Sequence, residues 1–177
     1  LNGIPNDPSS ELNKKHTWEI NYYGRKKFAE IAKKSGVTRY IFNSTCAVYG
    51  YNKNTVNENS KTNPLSTYAK ANLKAEKAIF KLKSKNFKVN ILRNSTLFGF
   101  SQNLRLDLVI NIFVNSLIST GNISVDGDGK QWRPFISIND VSKIYEKIIA
   151  KVSLPSFIIN LVAFNSTIKK LAFKIVK

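Results

Sequence analysis

The sequence predicts an α/β fold, a doubly wound and mostly parallel sheet with helices on both faces. Three observations lead there. Short segments rich in β-branched and aromatic residues alternate with longer ones in which apolar residues recur at helical spacing. The strand-like segments are far enough apart for right-handed crossovers, the connection that parallel strands require. A chain of 177 residues, 42% hydrophobic and 11% aromatic, can fill a core of single-domain size.

From Leu12 to Lys34 the residues Ile20, Tyr23, Phe28 and Ile31 fit a helix, with Ser9 or Ser10 as N-cap and Gly36 as the stop. Thr38 to Ser44 reads as a short buried strand, punctuated by Tyr49-Gly50. Residues 51 to 65 form an asparagine-rich polar loop that contains Pro64. The second helix, Ser66 to Lys85, carries Ala71, Ala75, Ala78, Ile79 and Leu82 on one stripe. Val89 to Arg93 is the next strand. After a loop with Gly99, Asp107 to Ser119 reads as a helix, Asn122 to Val125 as a short strand and Asp126-Gly-Asp-Gly129 as a turn. Asn139 or Asp140 caps a helix to about Lys151, Phe157 to Leu161 is the final strand, and Thr167 to Lys177 begins a helix. No internal repeat or low-complexity linker divides the chain. A nucleotide-binding α/β domain normally opens on a strand and a Gly-x-Gly-x-x-Gly turn. This chain opens on a helix already under way and reads as a piece of something longer.

Charge is the most conspicuous number, since 28 Lys and Arg against 11 Asp and Glu give +17. Such an excess suits phosphate backbones and anionic surfaces. Yet 23 of the basic residues are lysine and only five arginine, whereas phosphate and base-edge recognition favours the two-pronged guanidinium. Asparagine (21) and isoleucine (19) are equally inflated, and all three residues have A/T-rich codons, so the charge reads as codon usage. Lysine pairs at 14/15, 26/27, 33/34 and 169/170 fall on helix faces where solvated charge is ordinary. No nucleic-acid partner is expected. No apolar run exceeds six residues, against about 20 for a membrane span, and no signal peptide is visible. One cysteine, Cys46, excludes an internal disulfide and a multi-cysteine metal site and fits a reducing, cytoplasmic setting.

Ser44-Thr-Cys-Ala-Val-Tyr-Gly50, followed by Tyr68-Ala-Lys-Ala-Asn72 and Glu76, resembles the extended short-chain dehydrogenase/reductases, specifically the NAD-dependent epimerase/dehydratase group. Asn21-Tyr-Tyr-Gly24 is similar to that family's Asn-x-x-Gly helix, and Gly36-Val-Thr-Arg-Tyr-Ile-Phe42 to the strand before its active-site hydroxyl. Leu92-Arg93-Asn-Ser-Thr-Leu-Phe-Gly99 resembles the post-catalytic strand and loop. The run from Leu104 to Asn111 and that from Asp126 through Arg133 to Asp140 resemble the substrate region. The resemblance spans nearly the whole chain.

It implies a Rossmann-like sheet, with residues 1–100 as the C-terminal part of the NAD-binding domain. Residues 101–177 would be a substrate-binding region interleaved with the last Rossmann elements. It implies NAD or NADP as cofactor, a nucleotide sugar as substrate, and hydride transfer at a sugar carbon. Tyr68 takes the place of the acid/base and Thr45 that of the hydroxyl that bonds the reacting oxygen. Asn21, Ser44 and Ser95, with Tyr68 and Asn72, fall at cofactor positions; Thr96, Arg105, Asn111 and Arg133, with Thr45, fall at substrate positions. Arg133 matches the arginine that grips the diphosphate, a role suited to a fixed guanidinium. Asp140 reads as a helix cap, and Asn21 either supports the tyrosine or is an ordinary polar helix residue. Family helix pairs often build homodimers, which makes 12–34 and 66–85 the dimer candidates.

Position 72 departs from the pattern, because the family has lysine four residues after the tyrosine. The lysine's charge favours phenolate and its amine anchors the nicotinamide ribose. Asn72 can hydrogen-bond but supplies no charge. Lys70 and Lys74 lie about 200° and 240° around the helix from Tyr68 and do not reach the same spot. Lowering a phenol from about 10 to about 7 takes roughly 4 kcal/mol, of which a neutral amide supplies only part. Activity absent or strongly reduced, with a raised pH optimum, is therefore expected. A non-catalytic nucleotide-sugar-binding, NAD-binding or interaction protein of the same fold is the alternative that Asn72 supports. Cys46 reads as a buried structural thiol, for the only histidine, His16, lies on an early helix. Asp126-Gly-Asp-Gly129 lacks the remaining ligands of a calcium loop, and no metal is expected.

Overall fold

The computed structural model describes residues 3–177, an α/β fold with a parallel sheet. They divide into two compact units, the chain up to Arg93 with Ser153–Asn160, and Asn94–Val152 with Leu161–Lys177.

The first unit opens on α1 (Asp7–Leu12), where Asn6 Oδ1 accepts the Ser9 N–H at 2.9 Å. Asn13 leaves helical geometry at φ −144°, ψ 90° and caps α2 (Lys14–Trp18), its Oδ1 accepting the His16 N–H at 2.9 Å. α2 continues through a π-helical turn, Glu19–Gly24, into α3 (Arg25–Lys34). The helix expected from Leu12 thus starts at Lys14. The caps are asparagines rather than Ser9 or Ser10, because an asparagine amide competes for the backbone and breaks the helix at residue 13.

Strand β1 (Arg39–Thr45) runs into a 3-10 turn, Cys46–Tyr49. Gly50 closes that turn at φ 64°, ψ −149°, a conformation essentially reserved for glycine. A Cβ there would stand 2.0 Å from the Asn63 carbonyl oxygen, so the polar loop can fold back against the turn only over a glycine. α4 (Thr67–Phe80) comes next, with Ser66 Oγ accepting the Ala69 N–H at 3.1 Å. It stops at Phe80, short of the expected Lys85, because Ser84 and Phe87 exchange backbone hydrogen bonds of 2.9 and 3.3 Å and turn the chain into β2 (Lys88–Asn94).

The second unit holds β3 (Thr96–Phe98), α5 (Val109–Thr120), β4 (Trp132–Ser137) and α6 (Ile138–Ala150). The chain then supplies β5 (Phe157–Leu161) and ends with β6 (Phe164–Thr167) and α7 (Ile168–Val176). One sheet has the order β1-β2-β5, the other β3-β4-β6. In the latter β3 pairs parallel to β4, Thr96 opposite Phe135, and β6 pairs antiparallel, Thr167 opposite Trp132.

Four local expectations differ in this unit. Residues 122–125 form no strand, since both edges of β4 are taken by β3 and β6; Ile123 and Val125 pack as loop residues against the Phe113–Phe135 cluster. β3, β4 and β6 carry weak sequence signals, two being only three and four residues long and the third containing Pro134. α5 starts at Val109 rather than Asp107 and ends on Gly121, left-handed at φ 71°. The N-cap of α6 is Ser137, not Asn139 or Asp140. Its Oγ accepts the Asp140 N–H at 3.0 Å and donates to the Asp140 carboxylate at 2.6 Å, with Asp140 at the third position of the helix.

The first unit's core joins Ala29 of α3 and Ala75 and Ile79 of α4 to Phe42, Phe87, Val89 and Ile91. The alanines of the α4 stripe let the helix lie close on the sheet. Phe113, Phe135, Ile168, Leu171 and Ala172 form the second core. Several buried polar groups of the first unit are paired. Asn90 receives Arg39 Nη1 at 2.6 Å and donates to the Pro155 carbonyl at 3.0 Å. Glu76 and Arg93, at 2% and 6% side-chain exposure, meet through two prongs, Nε to Oε1 at 3.0 Å and Nη2 to Oε2 at 2.7 Å. Ser44 Oγ donates to the same carboxylate, and Arg93 Nη1 donates to the Tyr49 hydroxyl at 2.7 Å.

This packing has measurable consequences for stability. Gly50→Ala will lower the unfolding free energy by at least about 1–3 kcal/mol through backbone strain. Gly36→Ala, at φ 80° with open space around its Cβ, will cost only about 1–2 kcal/mol. Urea titrations that rank the two in the opposite order would contradict the close Gly50–Asn63 approach. Arg93→Ala, which leaves the Glu76 carboxylate buried and unpaired, will cost about 3–5 kcal/mol, part of it recovered in Arg93→Met/Glu76→Leu. Equal midpoints for Arg93→Ala and the unsubstituted protein in the same titration would rule out a buried, ionised Glu76.

Candidate active site

β1 delivers Thr45 at its C-terminal end, half-buried, where its Oγ1 accepts the Ala47 N–H at 3.1 Å and starts the 3-10 turn. α4 delivers Tyr68, the second residue of the helix. The backbone there is tied down from α1: Ser10 Oγ accepts the Tyr68 N–H at 3.1 Å, and Glu11 Oε1 accepts the Thr67 N–H at 2.7 Å. That second hydrogen bond holds the Glu11 carboxyl below its usual range.

Asn72 stands one turn below Tyr68, 1% exposed. Its Nδ2 donates to the Tyr68 carbonyl at 2.8 Å, and its Oδ1 accepts Arg25 Nη1 at 2.5 Å. A carbonyl only accepts and a guanidinium only donates, so the two neighbours allow one orientation of the amide. Lys70 and Lys74 are exposed, as the helical angles predict. Arg25 comes from the first turn of α3, with Cζ 5.5 Å from the centre of the Phe42 ring. Burial lowers its pKa, and interaction with Tyr68 and Tyr40 works the other way. Burial raises the Tyr40 phenol, against the pull of Arg25.

Among the other cofactor candidates, Ser44 is buried on the Glu76 carboxylate. Asn21, fully buried in the π-helical turn, clamps Ile4, accepting its N–H at 2.8 Å and donating to its carbonyl at 3.0 Å. Ser95, in the second unit, is 8% exposed and its Oγ has no hydrogen-bond partner. Of these side chains Ser95 alone carries an unsatisfied buried polar atom. Cys46 donates to the Arg93 carbonyl at 3.2 Å, and burial pushes its thiol up to about 12, which leaves it protonated and unsuited to nucleophilic work.

Within the second unit, Thr96 and Arg133 line one cleft of about 360 Å³, together with Asp107, Ser124, Asp126 and Gln131. Arg133 is exposed and enters no ion pair among the described residues. Arg105 is instead held by Asp107, Nε to Oδ1 at 3.0 Å with Nη2 on Oδ2, while Asn111 Nδ2 donates to the Arg105 carbonyl at 2.9 Å. Arg105 and Asn111 therefore brace the segment ahead of α5. The site residues that spacing does not reveal are Arg25 and Arg93. Arg93 has its signal in a charged residue within an otherwise apolar strand; Arg25 merely comes after the Gly24 of a recognisable motif.

No helix of the described residues is long and apolar enough to cross a membrane. The chain is 29% identical, over 91% of its length, to an uncharacterized UDP-glucose epimerase of Bacillus subtilis, of which it covers 51%. Over 71% of its length it is 33% identical to a putative UDP-glucose 4-epimerase of Methanocaldococcus jannaschii, covering 42%. It thus spans about half the length of the curated relatives it matches. Among solved structures, the UDP-glucose 4-epimerase of Thermotoga maritima with UDP-glucose superimposes on 99% of this chain and 58% of its own, with a TM-score of 0.86 at 22% identity. MoeE5 in complex with UDP-glucose and NAD gives a TM-score of 0.85 over 97% of this chain and 58% of its own, also at 22% identity. These two likenesses establish a Rossmann fold. The model of the NAD dependent epimerase/dehydratase family matches residues 1–161, and with these relatives it shows that the chain belongs to that family.

Proposed function

We propose that this chain is the part of an NAD-dependent nucleotide-sugar epimerase or dehydratase that carries the acid/base and most of the substrate contacts. The observation that supports it best is the setting of Tyr68: a half-buried phenol on a tightly capped helical turn, within electrostatic reach of a guanidinium. A phenol is a useful acid/base only if its environment favours phenolate, and burial alone does the opposite. Tyr68 takes the proton of a sugar hydroxyl and returns it. Thr45 keeps the reacting oxygen in place through its hydroxyl, one lone pair being committed to Ala47.

The residues present fit a dinucleotide in part. The Ser95 Oγ, buried without a partner, is suited to a cofactor amide or hydroxyl. Ser44, Asn21 and Asn72 spend their polar atoms inside the protein, so their part in holding the cofactor is to shape the site. NAD held there would supply the hydride acceptor and donor for a sugar carbon. On the substrate side, Arg133 and Thr96 share a cleft with room for a polar ligand, and we assign the diphosphate to Arg133. Arg105 reaches an anion only by giving up Asp107. Asn72 itself brings no charge, so a cation that favours the Tyr68 phenolate has to come from another element. We also propose a homodimer through the 12–34 segment, on which Leu12, Tyr23, Phe28 and Ile31 are exposed by 88, 61, 55 and 50%.

In the full-length protein supplied with NAD and UDP- or dTDP-sugars, Tyr68→Phe will reduce turnover by about 10²–10⁴-fold and leave nucleotide affinity within a few fold. Full turnover by that variant would overturn the assignment of Tyr68. Light scattering will find a dimer that Phe28→Glu converts to monomer, and a monomeric unsubstituted protein would refute the dimer.

A further inference from the structure

We propose that Arg25 supplies the positive charge that position 72 lacks: a guanidinium brought in from α3 and held by the Asn72 carbonyl is the cation that favours the Tyr68 phenolate. The inference rests on the reading of Tyr68 as acid/base and adds a residue to it.

The geometry consists of two linked hydrogen bonds. Arg25 Nη1 donates to Asn72 Oδ1 at 2.5 Å, and Asn72 Nδ2 donates to the Tyr68 carbonyl at 2.8 Å. Asn72 therefore does two things that a lysine cannot do together: it accepts from a cation, and it grips the backbone of the residue that the cation serves. A lysine at position 72 would set two positive charges against each other, whereas the pair Arg25–Asn72 leaves one. The guanidinium is confined on its other sides. It lies over the Phe42 ring, and a Cβ on Gly3 would come within 2.0 Å of Nη2, so the chain passes the arginine only where no side chain intervenes. Arginine keeps its charge in spite of such burial.

The other charged and titratable groups near the start of α4 do not substitute for it. From α1, Glu11 and Asp7 are carboxylates bound to the Thr67 N–H and the Ser66 hydroxyl, and they work against a phenolate; Lys14 of α2 is taken up by the Glu11 carboxylate at 3.3 Å. From α2 and the π-helical turn, His16 and Glu19 face each other at 3.8 Å. From β1, Tyr40 is a second phenol that competes for Arg25. On α4 itself Lys70 and Lys74 are exposed and Glu76 is satisfied by Arg93. Arg25 is a cation whose charge interacts with Tyr68.

The test measures both titration and turnover in the full-length protein. Tyrosinate absorbance is followed against pH, and the Tyr68 transition is isolated by subtracting the titration of Tyr68→Phe, with Tyr40→Phe to assign the competing phenol. Arg25→Gln will raise the Tyr68 midpoint by about one pH unit or more and move the acidic limb of kcat/KM upward with it. The direction reflects the removal of a cation that stabilises the charged form. Arg25→Lys will keep part of the lower midpoint, and Arg25→Gln/Asn72→Lys will regain most of the lost turnover by returning the charge from α4. Should Arg25→Gln fail to fold, Asn72→Lys in the presence of Arg25 serves instead, with less than a threefold gain expected. A Tyr68 midpoint and pH profile unmoved by Arg25→Gln, or a tenfold or larger gain from Asn72→Lys alone, would overturn the role of Arg25. An active Tyr68→Phe would overturn the reading of Tyr68 itself, so the two failures are distinguishable.

Discussion

Glu76 can remain a carboxylate in the core because Arg93 meets it with two prongs and Ser44 adds a third donor. A buried charge without such partners costs several kcal/mol, so the pair constrains its surroundings more than it stabilises them. It commits α4 to one height and one rotation against β2, fixes the end of β1 through Ser44, and draws Tyr49 onto Arg93 and then onto Asn160 of β5 at 2.8 Å. Tyr68 lies eight residues before Glu76 on the same helix, about 12 Å along its axis. Because a helix transmits position rigidly, the ion pair at its middle fixes where the phenol at its start can be.

The start of α4 is built by a different device, short polar caps from α1. Ser10, Glu11 and Asp7 each accept from the first residues of the helix or its cap, and Asn13 breaks the preceding segment so that α1 can reach them. The cost is a concentration of negative charge beside a residue proposed to ionise. A guanidinium from α3 offsets that field, and Asn72 holds it. On the family pattern, charge and phenol share one helix; here the charge belongs to a neighbouring helix and depends on how α3 packs against α4.

In the second unit the two candidate anion-binding arginines have different fates for a local reason. Arg105 lies two residues from Asp107 in an irregular segment, and the carboxylate closes on it. Arg133 sits on β4, paired opposite Ser166 of β6, in a ladder whose neighbouring side chains offer it no carboxylate partner. It is thus the arginine that reaches the cleft unencumbered.

Much of this was legible in the chain itself. Alternating strand and helix patterns and the alanine stripe of α4 depend on residues near one another, where periodicity is informative, while Thr45, Tyr68 and position 72 stand out through resemblance to the family's short motifs. Tertiary structure decided the rest. The strands β3, β4 and β6 are too short, or too interrupted by proline, to announce themselves, and they form because each supplies the other's backbone partners. The π-helical turn ahead of Arg25 adds a residue and rotates α3 by about 100° relative to a continuous helix, so no helical wheel could aim that side chain. The contact between Arg25 and Asn72 spans 47 residues. Local periodicity carries no information over that distance, and only the packing of α3 on α4 brings the two together.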